Sequence, residues 1–141
     1  STSDIPNVRG RLFEEPISSI TNIQVCADPT GLSLVDQVVT IVDSKTIHEI
    51  MTAIRSASEY SPNHPATIWC CTLRISGPTG QSNVRVFKAY SQGTIIHCTN
   101  RGGLIFSTLQ SQTLGSIIER AVQRHTDKRQ LPMTNEDRER R

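Results

Sequence analysis

The sequence predicts an α+β fold in which an antiparallel β-sheet carries two amphipathic helices on one face. Four short β-rich segments follow one another in the second half of the chain, separated by brief turns that contain glycine. Connections this short favour hairpins over crossovers, so the four segments predict an antiparallel meander. Segments with apolar residues at helical spacing lie on either side of it. Two further β-rich segments near the N-terminus predict a hairpin that completes the sheet.

The N-terminal hairpin is predicted from residues 17–27 and 32–42. The first of these segments alternates apolar and polar side chains, as a half-buried strand does. The intervening residues, Asp28-Pro29-Thr30-Gly31, have the composition of a turn. The alternation slips near Asp36, where a β-bulge is expected. Residues 1–16 contain two prolines and no steady period, so they predict an irregular lead-in.

Both helices are predicted from an apolar stripe and a capping residue. The first is expected over residues 44–58, with Asp43 as its N-cap. The second is expected over residues 111–125, capped by Ser111 or Thr113. The stripes consist of Ile47, Ile50, Met51 and Ile54 in the first helix, and of Leu114, Ile117, Ile118, Ala121 and Val122 in the second.

The meander is predicted over residues 68–75, 83–90 and 94–99, with a fourth strand that begins at Leu104. Side chains alternate between the two faces of a strand, which assigns each residue to one side of the sheet. The side expected to face the helices carries Trp69, Cys71, Leu73, Ile75, Val84, Val86, Ile96 and Cys98. The side expected to face away, the outer sheet face, carries Cys70, Thr72, Arg74, Arg85, Phe87, Ile95 and His97.

Composition bounds the class of protein. The 141 residues are 35% hydrophobic and 20% charged, which is typical of a globular chain. We expect one α+β domain over residues 17–125 and a polar, disordered tail over residues 126–141. No apolar run is long enough to cross a bilayer, so the chain as given is expected to be soluble. The compartment stays open, as does export of a longer precursor.

Four cysteines and four histidines raise the question of a metal site. Two pairs, Cys70-Cys71 and His97-Cys98, are adjacent in strands, so their side chains point to opposite faces and cannot share one ion. The sequence therefore predicts no metal and no cofactor. A disulfide between Cys71 and Cys98 is disfavoured because the strand over residues 83–90 lies between them. A pair between Cys26 and Cys70 requires that their strands be neighbours, and this alternative stays open.

No catalytic motif is present, and the sequence favours a non-enzymatic binding or protein-interaction module without excluding an enzyme. Its contact surface would be the outer sheet face or the loop over residues 58–67. The candidate binding residues are Arg74, Arg85, Phe87, Ile95 and His97 on the sheet, and Tyr60, Asn63 and His64 in the loop. The partner would be a protein or a small ligand, and an oligomer is possible.

Two alternatives are open. A small thiol-dependent enzyme would use Cys70 as nucleophile and His97 to stabilise its thiolate. A nucleic-acid-binding protein would use Arg74, Arg85 and the basic tail. The second alternative is disfavoured, because a formal net charge of +2 is small for a surface that binds phosphates.

Overall fold

The computed structural model describes residues 8–60, 66–100 and 102–129. In these residues seven strands form one sheet: β1 Asn22–Cys26, β2 Val39–Ile41, β3 Ser58–Glu59, β4 Thr67–Gly77, β5 Gly80–Ala89, β6 Thr94–Thr99 and β7 Ile105–Ser111. Their order is β2-β1-β4-β5-β6-β7-β3, and every neighbouring pair is antiparallel. The predicted α+β class, the N-terminal hairpin and the meander are confirmed.

Two α-helices cover one face of the sheet. Helix α1 spans Ser44–Arg55 and begins as predicted, because the Asp43 carboxylate accepts the Thr46 backbone N–H at 2.9 Å. Helix α2 spans Leu114–Arg129, and the Ser111 hydroxyl accepts the Leu114 N–H at 3.1 Å. The helix therefore starts after Ser111 and continues through residues 126–129, which the sequence analysis assigned to the tail. The remainder of that tail, residues 130–141, lies outside the described residues.

The hydrophobic core lies between the helices and the sheet. The predicted inward side chains of β4, β5 and β6 are buried, and Leu73, Val84 and Ile96 are fully inaccessible. The apolar stripes of the helices complete the core through Ile50, Met51, Ile54, Leu114 and Ile118. The opposite, outer sheet face is thus the surface that the helices leave open. None of the helices in the described ranges is long and apolar enough to span a membrane.

The connection between β1 and β2 differs from the predicted tight turn. Strand β2 is only three residues long, and residues 27–38 form an extended connection that runs beside β4. There, the Cys70 N–H donates to the Leu32 carbonyl and the Leu34 N–H donates to the Cys70 carbonyl, each at 2.9 Å. Strand β4 extends beyond the end of β1, and its backbone groups at Cys70 need hydrogen-bond partners that this connection provides.

The segment before β1 is anchored to the rest of the fold by two arginines. Its described residues include a π-helical turn, Gly10–Glu14, and a 3₁₀ turn, Ile17–Ser19. The buried Arg11 guanidinium donates to the Ser82 hydroxyl at 2.7 Å and to the Thr79 hydroxyl at 2.9 Å, in the β4–β5 hairpin. From α1, Arg55 donates to the Leu12 and Glu15 carbonyls. The expected lead-in therefore includes regular turns, while residues 1–7 lie outside the described part of the chain.

Candidate binding face

Strand register places the candidate residues of the outer sheet face in two adjacent rows. One row crosses β1, β4, β5, β6 and β7 through Cys26, Thr72, Arg85, His97 and Thr108. The next row crosses β4 to β7 through Cys70, Phe87, Ile95 and Gln110. Arg85, Phe87 and His97 are therefore immediate neighbours on two central strands, as the alternation of side chains predicted.

Arg85 is the centre of this arrangement. Its Nη2 lies 2.9 Å from Asp28 Oδ2, and its Cζ lies 4.8 Å from the centroid of the Phe87 ring. The Phe87 and His97 rings are tilted by 59°, with centroids 4.9 Å apart. The Arg85 side chain is 41% exposed, whereas that of Asp28 is 1% exposed. We name these four residues, Asp28, Arg85, Phe87 and His97, the outer-face cluster.

The Asp28 carboxylate holds the Arg85 guanidinium in position. Burial raises the pKa of Asp28, but hydrogen bonds from Thr30 and Arg85 outweigh this effect and keep the pKa below its ordinary value. The carboxylate therefore stays ionised at neutral pH. The Thr30 backbone N–H also donates to Asp28 Oδ1 at 3.0 Å. The Arg85 guanidinium is held against this carboxylate by two N–H groups that both donate to Oδ2.

His97 is held in its neutral form. Burial lowers the pKa of His97, and the positive charge of Arg85 lowers it further. Its Nδ1 atom is inaccessible to solvent and has no hydrogen-bond partner among the described residues. A buried polar atom without a hydrogen-bond partner lowers the stability of a folded protein. The neighbours of the His97 ring are the Phe87 ring and the Arg85 guanidinium.

The other candidates on the sheet differ in accessibility. Arg74 is exposed, and its Nη1 lies 3.4 Å from the Gln24 Oε1 atom. Ile95 is 4% exposed, so it cannot supply the apolar contact surface expected of it. Phe87 is half-buried and remains the aromatic side chain of the outer-face cluster. The candidates on the sheet that are exposed or half-buried are therefore Arg74, Arg85, Phe87 and His97.

The 58–67 loop is described only in part. Ser58 and Glu59 form β3, which pairs with the last residues of β7, and the Tyr60 N–H donates to the Thr108 carbonyl at 3.0 Å. The Tyr60 hydroxyl is buried without a partner among the described residues. Asn63 and His64 lie outside the described residues. The loop thus begins as an edge strand of the sheet, which its composition did not indicate.

Cys70 is not the exposed thiol that the sequence suggested. The residue is 2% exposed, because the connection over residues 27–38 covers it, and its Sγ lies 3.1 Å from the Thr30 hydroxyl. Burial raises the pKa of Cys70, and the hydrogen bond with Thr30 offsets this only in part. Strand β5 lies between Cys70 and His97. The two side chains share a face but form no nucleophile–base pair.

All four cysteines are free thiols, and only Cys26 is partly accessible. Strands β1 and β4 are neighbours, which was the condition for a Cys26–Cys70 disulfide. Cys26, however, lies opposite Thr72, so Cys70 occupies a diagonal position. The Cα atoms of diagonal neighbours on adjacent strands are about 7–8 Å apart, which is farther than an unstrained disulfide allows.

Thiol reactivity provides a direct check of these positions. We expect one thiol, Cys26, to react with iodoacetamide in the native protein, and the other three to react only after denaturation. Burial raises the pKa of Cys71 to about 12 and that of Cys98 to about 11, which suppresses their thiolates as well as their access. Mass spectrometry of tryptic peptides after a timed pulse measures this order. Native labelling of Cys70 at the rate of Cys26 would contradict the burial of Cys70.

Sequence reasoning missed Asp28 and Thr30, which reach the outer-face cluster from the chain connection. Both belong to an Asp-Pro-Thr-Gly sequence that is adequately explained by a turn. The slip of alternation near Asp36 was expected to be a β-bulge, but this residue lies in the connection before β2, which begins only at Val39.

The described residues contain no group of three or more His, Cys, Asp or Glu side chains placed to hold a metal ion. Comparison of the chain with protein-family models, with curated proteins and with solved structures finds no match.

Proposed function

We propose that this protein is a non-enzymatic binding module that docks a protein partner on its outer sheet face. The observation that carries the proposal is the outer-face cluster. Asp28 fixes Arg85, whose guanidinium lies against Phe87, whose ring in turn contacts His97. An ordered set of arginine and aromatic side chains on a partly accessible surface is typical of the residues that dominate protein interfaces.

The cluster has a chemical preference. Arg74 is exposed, and the Arg85 side chain is accessible over two-fifths of its surface. A guanidinium can donate to a carboxylate through two parallel N–H groups, and a docked partner would exclude water around both. Phe87 offers an apolar surface beside Arg85, on the side away from Arg74. The fitting partner is therefore a protein whose contact surface presents acidic side chains next to apolar ones.

Pre-organisation supports this function over a solvated, inert sheet surface. An exposed arginine normally loses side-chain entropy when a partner immobilises it. Arg85 has already lost much of that freedom, because Asp28 accepts from both its Nε and Nη2 atoms, at 3.3 Å and 2.9 Å. Binding through Arg85 consequently costs less than binding through a free surface arginine.

The thiol-enzyme alternative has less support, since Cys70 is buried, protonated and separated from His97 by a strand. Nucleic-acid binding through Arg74, Arg85 and the tail stays a prediction. Stacking of bases would rely on Phe87 and His97 alone among the candidate sheet residues.

The proposal is tested by reversing one charge on each face of the molecule. Immobilised protein is incubated with a lysate of its own cells, and captured proteins are quantified by mass spectrometry for wild type, Arg74→Glu and Lys45→Glu. We expect specific partners to be retained by wild type and Lys45→Glu and to be depleted about tenfold or more by Arg74→Glu. Lys45 is exposed on α1, so its variant makes the same change in net charge on the helical side.

Other results of the capture experiment would contradict the proposal or favour nucleic-acid binding. Partners lost with Lys45→Glu but kept by Arg74→Glu would move the interface to the helices and contradict the proposal. Capture that disappears after nuclease treatment, or that falls steeply between low and moderate salt, would favour nucleic acid. A second variant, Phe87→Ser, should also weaken capture; full retention by both sheet variants would remove the outer sheet face as the binding surface.

A further inference from the structure

Strand β2 forms one edge of the sheet and has an unusual sequence for an edge. Its one neighbour in the described residues is β1. The residues that surround and form it, Val38-Val39-Thr40-Ile41-Val42, include no charge, no proline and no glycine. Val39 and Ile41 are buried against the core, whereas Val38 is 48% and Val42 70% exposed. Two β-branched apolar side chains therefore lie accessible beside an edge to which no further strand of the described residues is paired.

Natural edge strands are usually protected from pairing with other chains by charges, prolines, bulges or short length. The opposite edge of this sheet follows the rule: β3 is two residues long and includes the exposed Glu59, and β7 carries an irregularity opposite Cys98 and Thr99. At β2 the only one of these features is its shortness, and extended backbone continues to Asp43. The backbone groups and the valines on this edge are suited to a further strand.

The sequence of this edge is nearly symmetric about Thr40. In an antiparallel pair of two identical strands centred on Thr40, each residue faces the one equally distant on the other side. Thr40 then faces its own copy, Val38 faces Val42, and Val39 faces Ile41. Pairs of threonines and pairs of β-branched residues are favourable across antiparallel strands. The same contact is made twice by a two-fold axis, which is the geometry of an isologous dimer.

We propose that β2 pairs with β2 of a second copy of this chain, so that two sheets join into one continuous sheet. The pair is confined to residues 38–42, because the chain bends at residues 36–37 and helix α1 begins at Ser44, and these five residues carry no charge. Pairing would cover the exposed sides of Val38 and Val42 and satisfy the open backbone groups of both copies. A second copy fits better than an unrelated strand, since the symmetry of the segment is useful only to itself. The inference is independent of the proposed function.

The test places a like charge on the two-fold axis. Sedimentation velocity of the full chain is measured from about 1 to 200 µM, a range in which a specific dimer changes population. We expect wild type to shift to the mass of two chains. Thr40→Lys should raise the dissociation constant by about tenfold or more, because two ammonium groups then face each other. Asn83→Lys, with the same charge on the outer face of the central strand β5, should leave it unchanged.

A complementation experiment fixes the register. Val38→Lys and Val42→Glu should each weaken the dimer, while the double variant should restore it. In the double variant the ammonium group introduced in one copy would face the carboxylate introduced in the other, and the two-fold axis makes this contact twice. Both side chains lie outside the core, and thermal melts confirm that the variants fold. This complementation experiment tests the proposal even if Thr40→Lys disturbs the folding of the monomer.

Several outcomes would overturn the proposal. These are a wild-type chain that stays monomeric throughout, a dimer that Asn83→Lys weakens as much as Thr40→Lys, or a double variant no tighter than its parents. A full chain that stays monomeric while one ending at Arg129 dimerises would also overturn it, and would assign the edge to residues 130–141.

Discussion

Replacing Leu73 by aspartate should leave the chain unfolded at room temperature. Leu73 is fully buried in the middle of β4, between Val25 of β1 and Val84 of β5. A carboxylate there would have no cationic partner, and burying it costs several kcal/mol, a large share of the about 5–15 kcal/mol that stabilises a typical domain. Near- and far-ultraviolet circular dichroism would show the loss of fixed tertiary structure. The same loss is expected for Ile50→Asp on α1, which is also fully buried.

The matched control is the adjacent residue. Arg74→Asp introduces the same side chain one position along the strand, on the exposed outer sheet face, and should melt cooperatively near the wild-type temperature. A Leu73→Asp variant that melts as cooperatively as Arg74→Asp would show that the faces of β4 are assigned the wrong way round.

Replacing Arg11 by methionine should lower the free energy of unfolding by about 2 kcal/mol. Methionine retains much of the apolar stem but leaves the buried Ser82 hydroxyl and the partly buried Gln81 carbonyl without their donor, and a buried acceptor left unpaired costs about 1–3 kcal/mol. Chemical denaturation followed by tryptophan fluorescence measures this change, since Trp69 is buried in the core.

Arg9→Met is the control for this second prediction. Arg9 is exposed, and its described contact is a cation–π interaction with Phe106 at 4.7 Å, which is worth about 0.5–1 kcal/mol at such sites. Equal destabilisation by the two substitutions would mean that Arg11 contributes no more than a surface arginine. The hydrogen bonds from Arg11 to the β4–β5 hairpin would then not stabilise the position of the N-terminal turn.

Local patterns predicted the elements whose stability is decided locally. The stripe of Ile47, Ile50 and Ile54 and the cap Asp43 lie within one helix, so periodicity and hydrogen bonding near the helix terminus were sufficient to place α1. Short turns similarly determined the meander from β4 to β7. The faces of these strands followed from alternation, which is why Arg85, Phe87 and His97 were correctly brought together.

The remaining features depend on contacts between residues distant in sequence. Cys70 is covered by a connection about 40 residues earlier in the chain, and its burial follows from hydrogen bonds with Leu32 and Leu34 that no local pattern encodes. The local sequence does not distinguish Arg11 from a surface arginine, because its hydrogen-bond partners lie in the distant β4–β5 hairpin. Asp28 was explained by its turn, so its ion pair with Arg85 was not anticipated.

The place of β1 in the sheet constrains the order in which the chain can fold. Its second partner is β4, which follows it only after β2, α1 and β3. During synthesis β1 therefore lacks its second strand partner until β4 has emerged from the ribosome. Contacts between such distant segments slow folding, and exposed apolar strands are recognised by chaperones while they wait. The form of this protein that most needs chaperones is then the nascent chain, before its C-terminal half has left the exit tunnel.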